Sequence, residues 1–225
     1  EGWIIHSHER TVGHHVTTIH GPSIHQRNQS ILDMLNPRLI AWEKMEREEV
    51  CSKPAPTVVF VSNLLRNIYL EHHRMLDSTN TVVGWPGVSS GGSQYIGNLT
   101  SERDYKKLLF VGQEFKRKGL SRAKDIVALA RSIGYRLELD VYGTPDLSGV
   151  PEFRGFDWIN FKGWEKDLRW KEYDALLHPA LIEPFGMVVA EARQHGLPVL
   201  CSENVGATDL GFKNMEICRL VDPIS

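Results

Sequence analysis

Strand-like and helix-like segments alternate over the second half of this sequence, and the alternation constrains the fold more than any other feature. Apolar or β-branched runs at 107–111, 135–142 and 158–161 are typical of strands, and residues 121–133 have the composition of a helix. Consecutive parallel strands need a crossover of about a dozen residues or more, which a helix supplies. The pattern predicts an α/β fold in which helices cover both faces of a parallel sheet.

The alternation continues towards the end of the sequence. It predicts a helix at 165–176, a short strand ending at Pro179, a helix from Met187 to His195, and strands at 197–201 and 217–221. In sheets of this kind, ligands bind beyond the carboxyl ends of the strands. The loops that follow the strands are therefore the first place to look for functional residues.

A segment rich in glycine and proline, residues 84–103, has the composition of a domain linker. It separates two predicted domains, residues 1–83 and 104–225. The first domain is predicted to contain strands at 3–8, 14–20, 57–61 and 81–83, and helices at 29–50 and 64–73.

The longer of these two helices has an Asn36-Pro37 step, which predicts a kink or a break. Its charged end, residues 43–49, is predicted to face solvent. Its apolar side chains near one face are Ile31, Leu35, Leu39, Trp42 and Met45.

Only residues 9–13 separate the first two strands, which is too few for an ordinary parallel crossover. Either the strands form a hairpin, or residues that belong between them are missing from this sequence. We favour the second explanation, because both strands end in histidine and resemble neighbours in a parallel sheet.

The bulk composition excludes several classes of protein. Twenty-six basic and 28 acidic residues give a net charge of −2, so nothing predicts a nucleic-acid partner. No apolar run is long enough to span a membrane, and no secretion signal is visible. The three cysteines lie far apart without a Cys-x-x-Cys motif, which fits a reducing, cytoplasmic compartment.

Two carboxylates, Glu183 and Glu191, bracket the predicted start of the helix at Met187. The backbone N–H groups of Phe185, Gly186 and Met187 lie beside them, and an uncapped helix start of this kind favours an anion such as phosphate. The alternative is structural, in which Glu183 caps the helix and Glu191 is solvated.

A basic loop, Gly112-Gln-Glu-Phe-Lys-Arg-Lys-Gly119, directly follows the strand at 107–111. Arg117 or Lys118 could clamp a phosphate, because both side chains are cationic hydrogen-bond donors. The alternative is an exposed basic turn. Since both this loop and the Glu183 segment are predicted at the carboxyl edge of one sheet, the clamp is favoured.

Residues 110–119, 176–180 and 183–191 together resemble the retaining glycosyltransferases of family 4, which have the GT-B fold of two Rossmann-like domains. These segments are most similar to those of lipopolysaccharide core glucosyltransferases. Residues 16–21 resemble more weakly the strand of the first domain that ends in a histidine near the donor sugar. The resemblance implies a partial, acceptor-side domain at 1–83 and a donor-binding domain at 104–225.

The resemblance also implies the chemistry. A sugar would pass with retained configuration from a nucleoside diphosphate sugar, such as a UDP-hexose, to a glycan or lipid-linked glycan acceptor, without an obligatory metal or other cofactor. A lipid-linked acceptor would bring the protein to the inner face of a membrane. The implied catalytic residues are His20 and Glu183, and the implied donor-binding residues are Gly112, Arg117, Lys118, Phe185, Gly186, Met187 and Glu191.

One departure and three alternatives accompany the resemblance. Gln113 stands where many family members have arginine, so diphosphate contact would rest on Arg117 and Lys118. Histidines crowd residues 6–25, and a metal site at His6 and His8 is conceivable, although the absence of cysteines or a carboxylate set favours a polar acceptor cleft. A non-catalytic nucleotide-sugar-binding module and a sugar-nucleotide epimerase are the competing functions.

Overall fold

Two parallel β-sheets organise the chain in the computed structural model, which describes residues 2–26, 35–88, 103–211 and 215–218. The chain divides into two units, residues 1–86 and 87–225. The predicted α/β class with parallel sheets is confirmed in both units.

The first unit contains a four-stranded sheet in the order β1-β2-β3-β4. Although residues 8–15 alone connect them, β1 and β2 are parallel, with His6 opposite Val16. The hairpin alternative is therefore wrong, and the two strands are parallel neighbours. The strands are His6–Ser7 (β1), Val16–Ile19 (β2), Thr57–Phe60 (β3) and Thr81–Val83 (β4).

Where the structure describes the first unit, its α-helices are α1 at Pro37–Cys51 and α2 at Asn63–His72. The Asn36 side chain accepts a hydrogen bond from the backbone N–H of Arg38 at 3.0 Å. The predicted break at Asn36-Pro37 is therefore the capped start of α1, with proline at a tolerated position. The part of the predicted helix at 29–34 lies outside the described residues.

The buried face of α1 is acidic, which corrects the prediction that its charged end faces solvent. Glu46 and Glu49 are buried, whereas Leu35 and Met45 of the predicted apolar face are exposed. Four groups surround the Glu46 carboxylate: the Ser23 hydroxyl at 2.6 Å, the Ile24 N–H at 2.9 Å, His73 Nε2 at 2.9 Å and Arg10 Nη2 at 3.2 Å. Burial of a carboxylate is tolerated because its oxygens are hydrogen-bonded and paired with a cation.

Glu49 is held less completely than Glu46. Its Oε1 accepts the Thr17 hydroxyl at 2.9 Å, while its Oε2 has no hydrogen-bond partner among the described residues. Burial raises the pKa of Glu49 to about 7, against the lowering effects of Thr17 and Arg10. Because the unfolded chain ionises near pH 4.5 and the folded chain near pH 7, stability should fall as the pH rises through that interval.

We expect Glu49→Gln to remove this pH dependence. Near pH 4 both chains carry a neutral side chain and should be about equally stable, whereas near pH 8 the variant should be more stable by about 1–2 kcal/mol after allowance for solvent screening. Urea denaturation at a series of pH values measures the difference, with the exposed Glu48→Gln as control. A constant difference at all pH values would contradict the expectation.

The second unit contains a six-stranded parallel sheet in the order β10-β9-β8-β5-β6-β7. The order reverses direction at β5, because β6 pairs on one side of it and β8 on the other. Ligands of such sheets bind at this switch point. The strands are Lys106–Val111 (β5), Leu137–Tyr142 (β6), Ile159–Gly163 (β7), Ala175–His178 (β8), Val199–Ser202 (β9) and Met215–Cys218 (β10).

The described residues of the second unit contain α3 at Phe115–Lys118, α4 at Leu120–Ser132 and α5 at Met187–Gln194. The predicted helices at 121–133 and 187–195 are confirmed as α4 and α5, while the basic loop contains the short α3. Leu120, Ala123 and Val127 of α4 join the core that covers one face of β5 and β6. No helix among the described residues is both long and apolar enough to cross a bilayer.

The predicted helix at 165–176 is wrong, because the helical part of this segment is a 3-10 turn at Trp170–Glu172 and β8 already begins at Ala175. The Tyr173 hydroxyl donates to the buried Asp140 at 3.0 Å, and Asp174 accepts the backbone N–H of Lys107 at 2.7 Å. These bonds hold residues 173–174 extended against β5 and β6. Their partners lie more than 30 positions away, so the local pattern contains no sign of them.

A polar cavity of about 440 Å³ lies beside the same segment. Asp140 is fully buried in the wall of this cavity. Its Oδ1 accepts a hydrogen bond from Asn160 Nδ2 at 2.9 Å, and its Oδ2 pairs with Lys107 Nζ at 2.9 Å. The residues that line the cavity therefore include those whose polar contacts hold this non-helical segment against the sheet.

Candidate functional site

The loops that follow β5 and β8 meet at the switch point of the second sheet. Gly119 ends α3 with φ of 78°, and a Cβ added there would lie 2.0 Å from the carbonyl oxygen of Pro179. Only glycine fits a left-handed position with backbone so close. The Leu181 N–H donates to the Arg117 carbonyl at 2.9 Å, which ties the two loops together.

Arg117, Lys118 and Glu183 form an ion cluster between these loops. Glu183 Oε2 lies 3.2 Å from Arg117 Nη1 and 3.0 Å from Lys118 Nζ. The guanidinium also donates to the Ile182 carbonyl at 3.0 Å and to Glu114 Oε2 at 2.7 Å. The structure therefore brings the predicted clamp and the predicted carboxylate into direct contact.

The electrostatics of the cluster keep Glu183 ionised. Burial alone would raise the pKa of this carboxyl, but the neighbouring His178, Lys118 and Arg117 lower it to about 2. Glu183 is only 8 % exposed, so its charge interacts with both cations with little solvent screening. Arg117 and Lys118 thus share the buried Glu183 carboxylate, and Glu114 also pairs with Arg117.

Gly112 has a steric role in this cluster. A Cβ added at Gly112 would lie 2.2 Å from Lys118 Cδ, in the middle of the lysine side chain. The missing side chain therefore leaves the space through which Lys118 reaches Glu183. Gly112 is itself packed closely, since a Cβ on Gly143 would lie 1.8 Å from the Gly112 carbonyl oxygen.

The start of α5 lies directly after Glu183. Gly186 precedes the helix with φ of 94° and ψ of 67°, and no side chain caps the first turn. The alternative in which Glu183 caps this helix is therefore wrong. The first N–H groups of a helix have no partner within it, so those at the start of α5 are available to an anion. Phe185 is buried, and Met187 is 38 % exposed.

The backbone of Glu183 is fixed by the strand bridge to Val205. Its N–H donates to the Asn204 carbonyl at 2.9 Å, and its carbonyl accepts the Gly206 N–H at 2.9 Å. Glu191 lies within α5 and is half-buried, and its carboxylate makes no hydrogen bond or ion pair with the described part of the chain. The structure therefore positions Glu183 firmly and leaves the Glu191 carboxylate available.

Two residues of the cluster were missed by the sequence reasoning. His178 ends β8, is fully buried, and places Nε2 3.7 Å from Glu183 Oε2. Glu114 holds Arg117 and has a positive φ of 48°. A polar residue at the carboxyl end of a buried strand was the available signal for His178, whereas no local pattern marks Glu114.

His20 lies in the first unit at the end of β2 and is exposed. His8 Nδ1 lies 2.9 Å from His20 Nε2, and the rings of His6 and His8 are 4.5 Å apart. Burial, followed by the neighbouring His8 and His6, lowers the pKa of His20. Within the ranges that the structure describes, no group of three or more potential ligands could hold a metal ion.

Comparison with known proteins identifies the family. The family model described as "Glycosyl transferases group 1" matches residues 94–216, more than half of the chain. The chain belongs to the group 1 glycosyltransferases.

Curated relatives match this group 1 chain over a short segment. A probable sucrose-phosphate synthase 5 of Oryza sativa subsp. japonica is 42 % identical over 53 residues, and sucrose-phosphate synthase 1 of Arabidopsis thaliana is 40 % identical over 53 residues. Each match covers 24 % of this chain and 5 % of the relative.

Solved structures show the same fold at low sequence identity. WaaG, a glycosyltransferase involved in lipopolysaccharide biosynthesis, matches with a TM-score of 0.77 and 21 % identity over 99 % of this chain and 65 % of its own. Anabaena Alr3699/HepE, solved with UDP and glucose, has a TM-score of 0.64 and 15 % identity over 91 % and 57 %. The sucrose-phosphate synthase of Thermosynechococcus elongatus has a TM-score of 0.69 and 20 % identity over 92 % and 55 %. The predicted GT-B type of fold is thus confirmed.

Proposed function

We propose that the second unit binds a nucleoside diphosphate sugar, and that the protein transfers its hexose with retained configuration to a glycan or lipid-linked glycan. The observation that carries the proposal is the pair Arg117 and Lys118, gathered around a buried carboxylate beside the uncapped start of α5. Cations and a helix start are the groups that bind a diphosphate.

The proposed chemistry follows from the charges. As the sugar leaves, negative charge accumulates on the nucleoside diphosphate, and Arg117, Lys118 and the N–H groups at residues 185–187 lie where they could stabilise it. Glu183 would then accept hydrogen bonds from sugar hydroxyls, and Glu191 from the ribose. Preorganised donors of this kind stabilise the transition state without reorganising during the reaction.

The domain roles are part of the same proposal. Residues 104–225 would bind the donor, with residues 84–103 as linker, and residues 1–83 would form the acceptor side, with His20 as a catalytic residue. Family 4 is the proposed subdivision of group 1, and UDP-hexose the proposed donor, supported by the UDP and glucose in the HepE structure.

The acceptor is proposed to be a lipopolysaccharide core or a similar glycan, in line with the involvement of WaaG in lipopolysaccharide biosynthesis. The protein would then work in the cytoplasm, in peripheral contact with the inner face of the membrane. The sucrose-phosphate synthase relatives, whose names give a phosphorylated sugar as product, support a small soluble acceptor as a second candidate.

Donor binding is tested by thermal unfolding against a panel of nucleotide sugars. A ligand at a hundredfold excess over its Kd should stabilise the chain by about 2.7 kcal/mol. We expect a UDP-hexose to do so, and Arg117→Ala to lose most of the effect because it removes one of the two clamp cations. Stabilisation by none of the panel would contradict the proposal.

Turnover separates the competing functions. A transferase consumes the donor only when an acceptor is present, and NMR of the product shows whether the anomeric configuration is retained. Conversion of the donor without an acceptor would indicate an epimerase. Binding without any turnover, tested with both candidate acceptors, would indicate a non-catalytic binding module.

A further inference from the structure

His178 is a buried imidazole whose ring nitrogens make no hydrogen bond with the described part of the chain. It is fully buried at the end of β8. Nε2 lies 3.7 Å from Glu183 Oε2, just beyond hydrogen-bonding distance. A buried polar group normally has a partner, so one that lacks it is a candidate for a second state of the site.

The groups that face His178 come from four elements, and the charged ones belong to two of them. Arg117 and Lys118 approach from α3, Glu183 from the loop after β8, and Cys201 of β9 is its neighbour in the sheet register. Phe110 of β5 places its ring 6.5 Å away. Burial, together with the charges of Lys118 and Arg117, lowers the pKa of His178 despite the opposing effect of Glu183. The lowered pKa favours the neutral imidazole.

The ion cluster cannot persist unchanged when a diphosphate binds. Glu183 Oε2 lies 3.0 Å from Lys118 Nζ and 3.2 Å from Arg117 Nη1. A diphosphate carries more negative charge than one carboxylate and would compete for both cations. Glu183 would then be a buried carboxylate with weakened partners, which is costly unless another charge compensates it.

We propose that His178 is the positioning residue for Glu183, and that it takes up a proton from solvent when a nucleoside diphosphate binds Arg117 and Lys118. The protonated imidazole donates its Nε2–H to Glu183 Oε2, and the carboxylate stays in place for the sugar hydroxyls. The step adds one proton to a neutral imidazole and breaks no covalent bond. The inference rests on the proposed donor site.

Proton uptake fixes the direction of the pH dependence. Because the liganded protein binds one more proton than the free protein, nucleoside diphosphate binding should weaken as the pH rises, by at most about tenfold per pH unit. A histidine that packs only as a structural residue would produce no such linkage.

The test is isothermal titration of the full chain with UDP, in two buffers of different ionisation enthalpy, between about pH 6 and pH 8.5. We expect the wild type to take up a proton, with a maximum of about one per UDP. His195→Asn is the matched control, because His195 is the other histidine of the second unit and stacks on Trp170. It should retain the proton uptake.

Two substitutions of His178 keep the test decisive. His178→Gln provides an amide donor that does not titrate, so UDP should bind with little pH dependence and without proton uptake. His178→Phe removes the donor, and transfer should lose rate more than donor affinity. UDP binding without proton uptake in the wild type, or uptake that persists in His178→Gln, would overturn the inference. No UDP binding by the wild type would overturn the proposed function itself, and the inference with it.

Discussion

Replacing Lys118 with alanine is expected to lower the rate of sugar transfer by about 10²–10³, equivalent to about 3–4 kcal/mol of transition-state stabilisation. Lys118 Nζ lies 3.0 Å from Glu183 Oε2, in the space between the two loops, and its side chain is only 17 % exposed. The ammonium would meet the charge that develops on the leaving diphosphate where solvent screens it little. Steady-state kinetics with the donor identified by thermal unfolding measure the loss.

Lys116→Ala is the matched control for this substitution. Lys116 belongs to the same short helix and carries the same charge, but its side chain is exposed. Its removal should change transfer by less than about twofold, since exposed charges are well screened. Equal losses in the two variants would indicate a general effect of net charge, and near-wild-type turnover in Lys118→Ala would remove Lys118 from the mechanism.

Replacing Glu46 with alanine is expected to reduce the free energy of unfolding of the first unit by about 3–5 kcal/mol. The fully buried carboxylate is the shared acceptor of His73, Arg10 and the Ser23–Ile24 turn. Its loss would leave the Arg10 cation near the core without its partner, and would open a cavity. Urea denaturation, with hydrogen exchange of β2 and β3 amides as the local readout, measures the effect.

The control for Glu46→Ala is Glu48→Ala on the same helix. Glu48 is 48 % exposed and pairs loosely with Lys44 at 3.7 Å, so its removal should cost less than about 0.5 kcal/mol. Burial raises the pKa of Glu46, but the hydrogen bonds to its carboxylate and the charge of Arg10 lower it by more. The net pKa of Glu46 is therefore below its usual 4.5. Its contribution should therefore be present above pH 4.5 and be lost as the pH falls. Similar stabilities of the two variants at pH 7 would contradict the assigned role.

Features that depend on short-range pattern were predictable. The strands β3, β5 and β9 each contain a short apolar run, and α5 lies between a glycine start and a glycine stop at Gly186 and Gly196. The carboxyl ends of parallel strands share one edge, so the basic loop after β5 and the segment after β8 had to be close. For this reason Arg117, Lys118 and Glu183 could be chosen as candidates before their contact was known.

Features that depend on distant partners were not predictable. The charged face of α1 had the composition of a solvated surface, and hydrogen bonds and ion pairs from His73, Arg10 and the Ser23–Ile24 turn make burial of Glu46 tolerable. The segment 165–176 had a helical composition, but Asp140 and the backbone of Lys107 hold its end extended. In both cases the deciding hydrogen bonds join residues 20 or more positions apart.

The sequence by itself determined the α/β class, the parallel sheets and the edge at which the site lies, because periodicity and strand direction are local properties of the chain. Only the tertiary structure decided how the site is charged. The ionised state of Glu183, the space that Gly112 leaves for Lys118, and the buried imidazole of His178, which has no hydrogen-bond partner in the described part of the chain, depend on groups from separate segments. Burial and charge at a site depend on what packs around it, and that is set by the fold rather than by the neighbours in the chain.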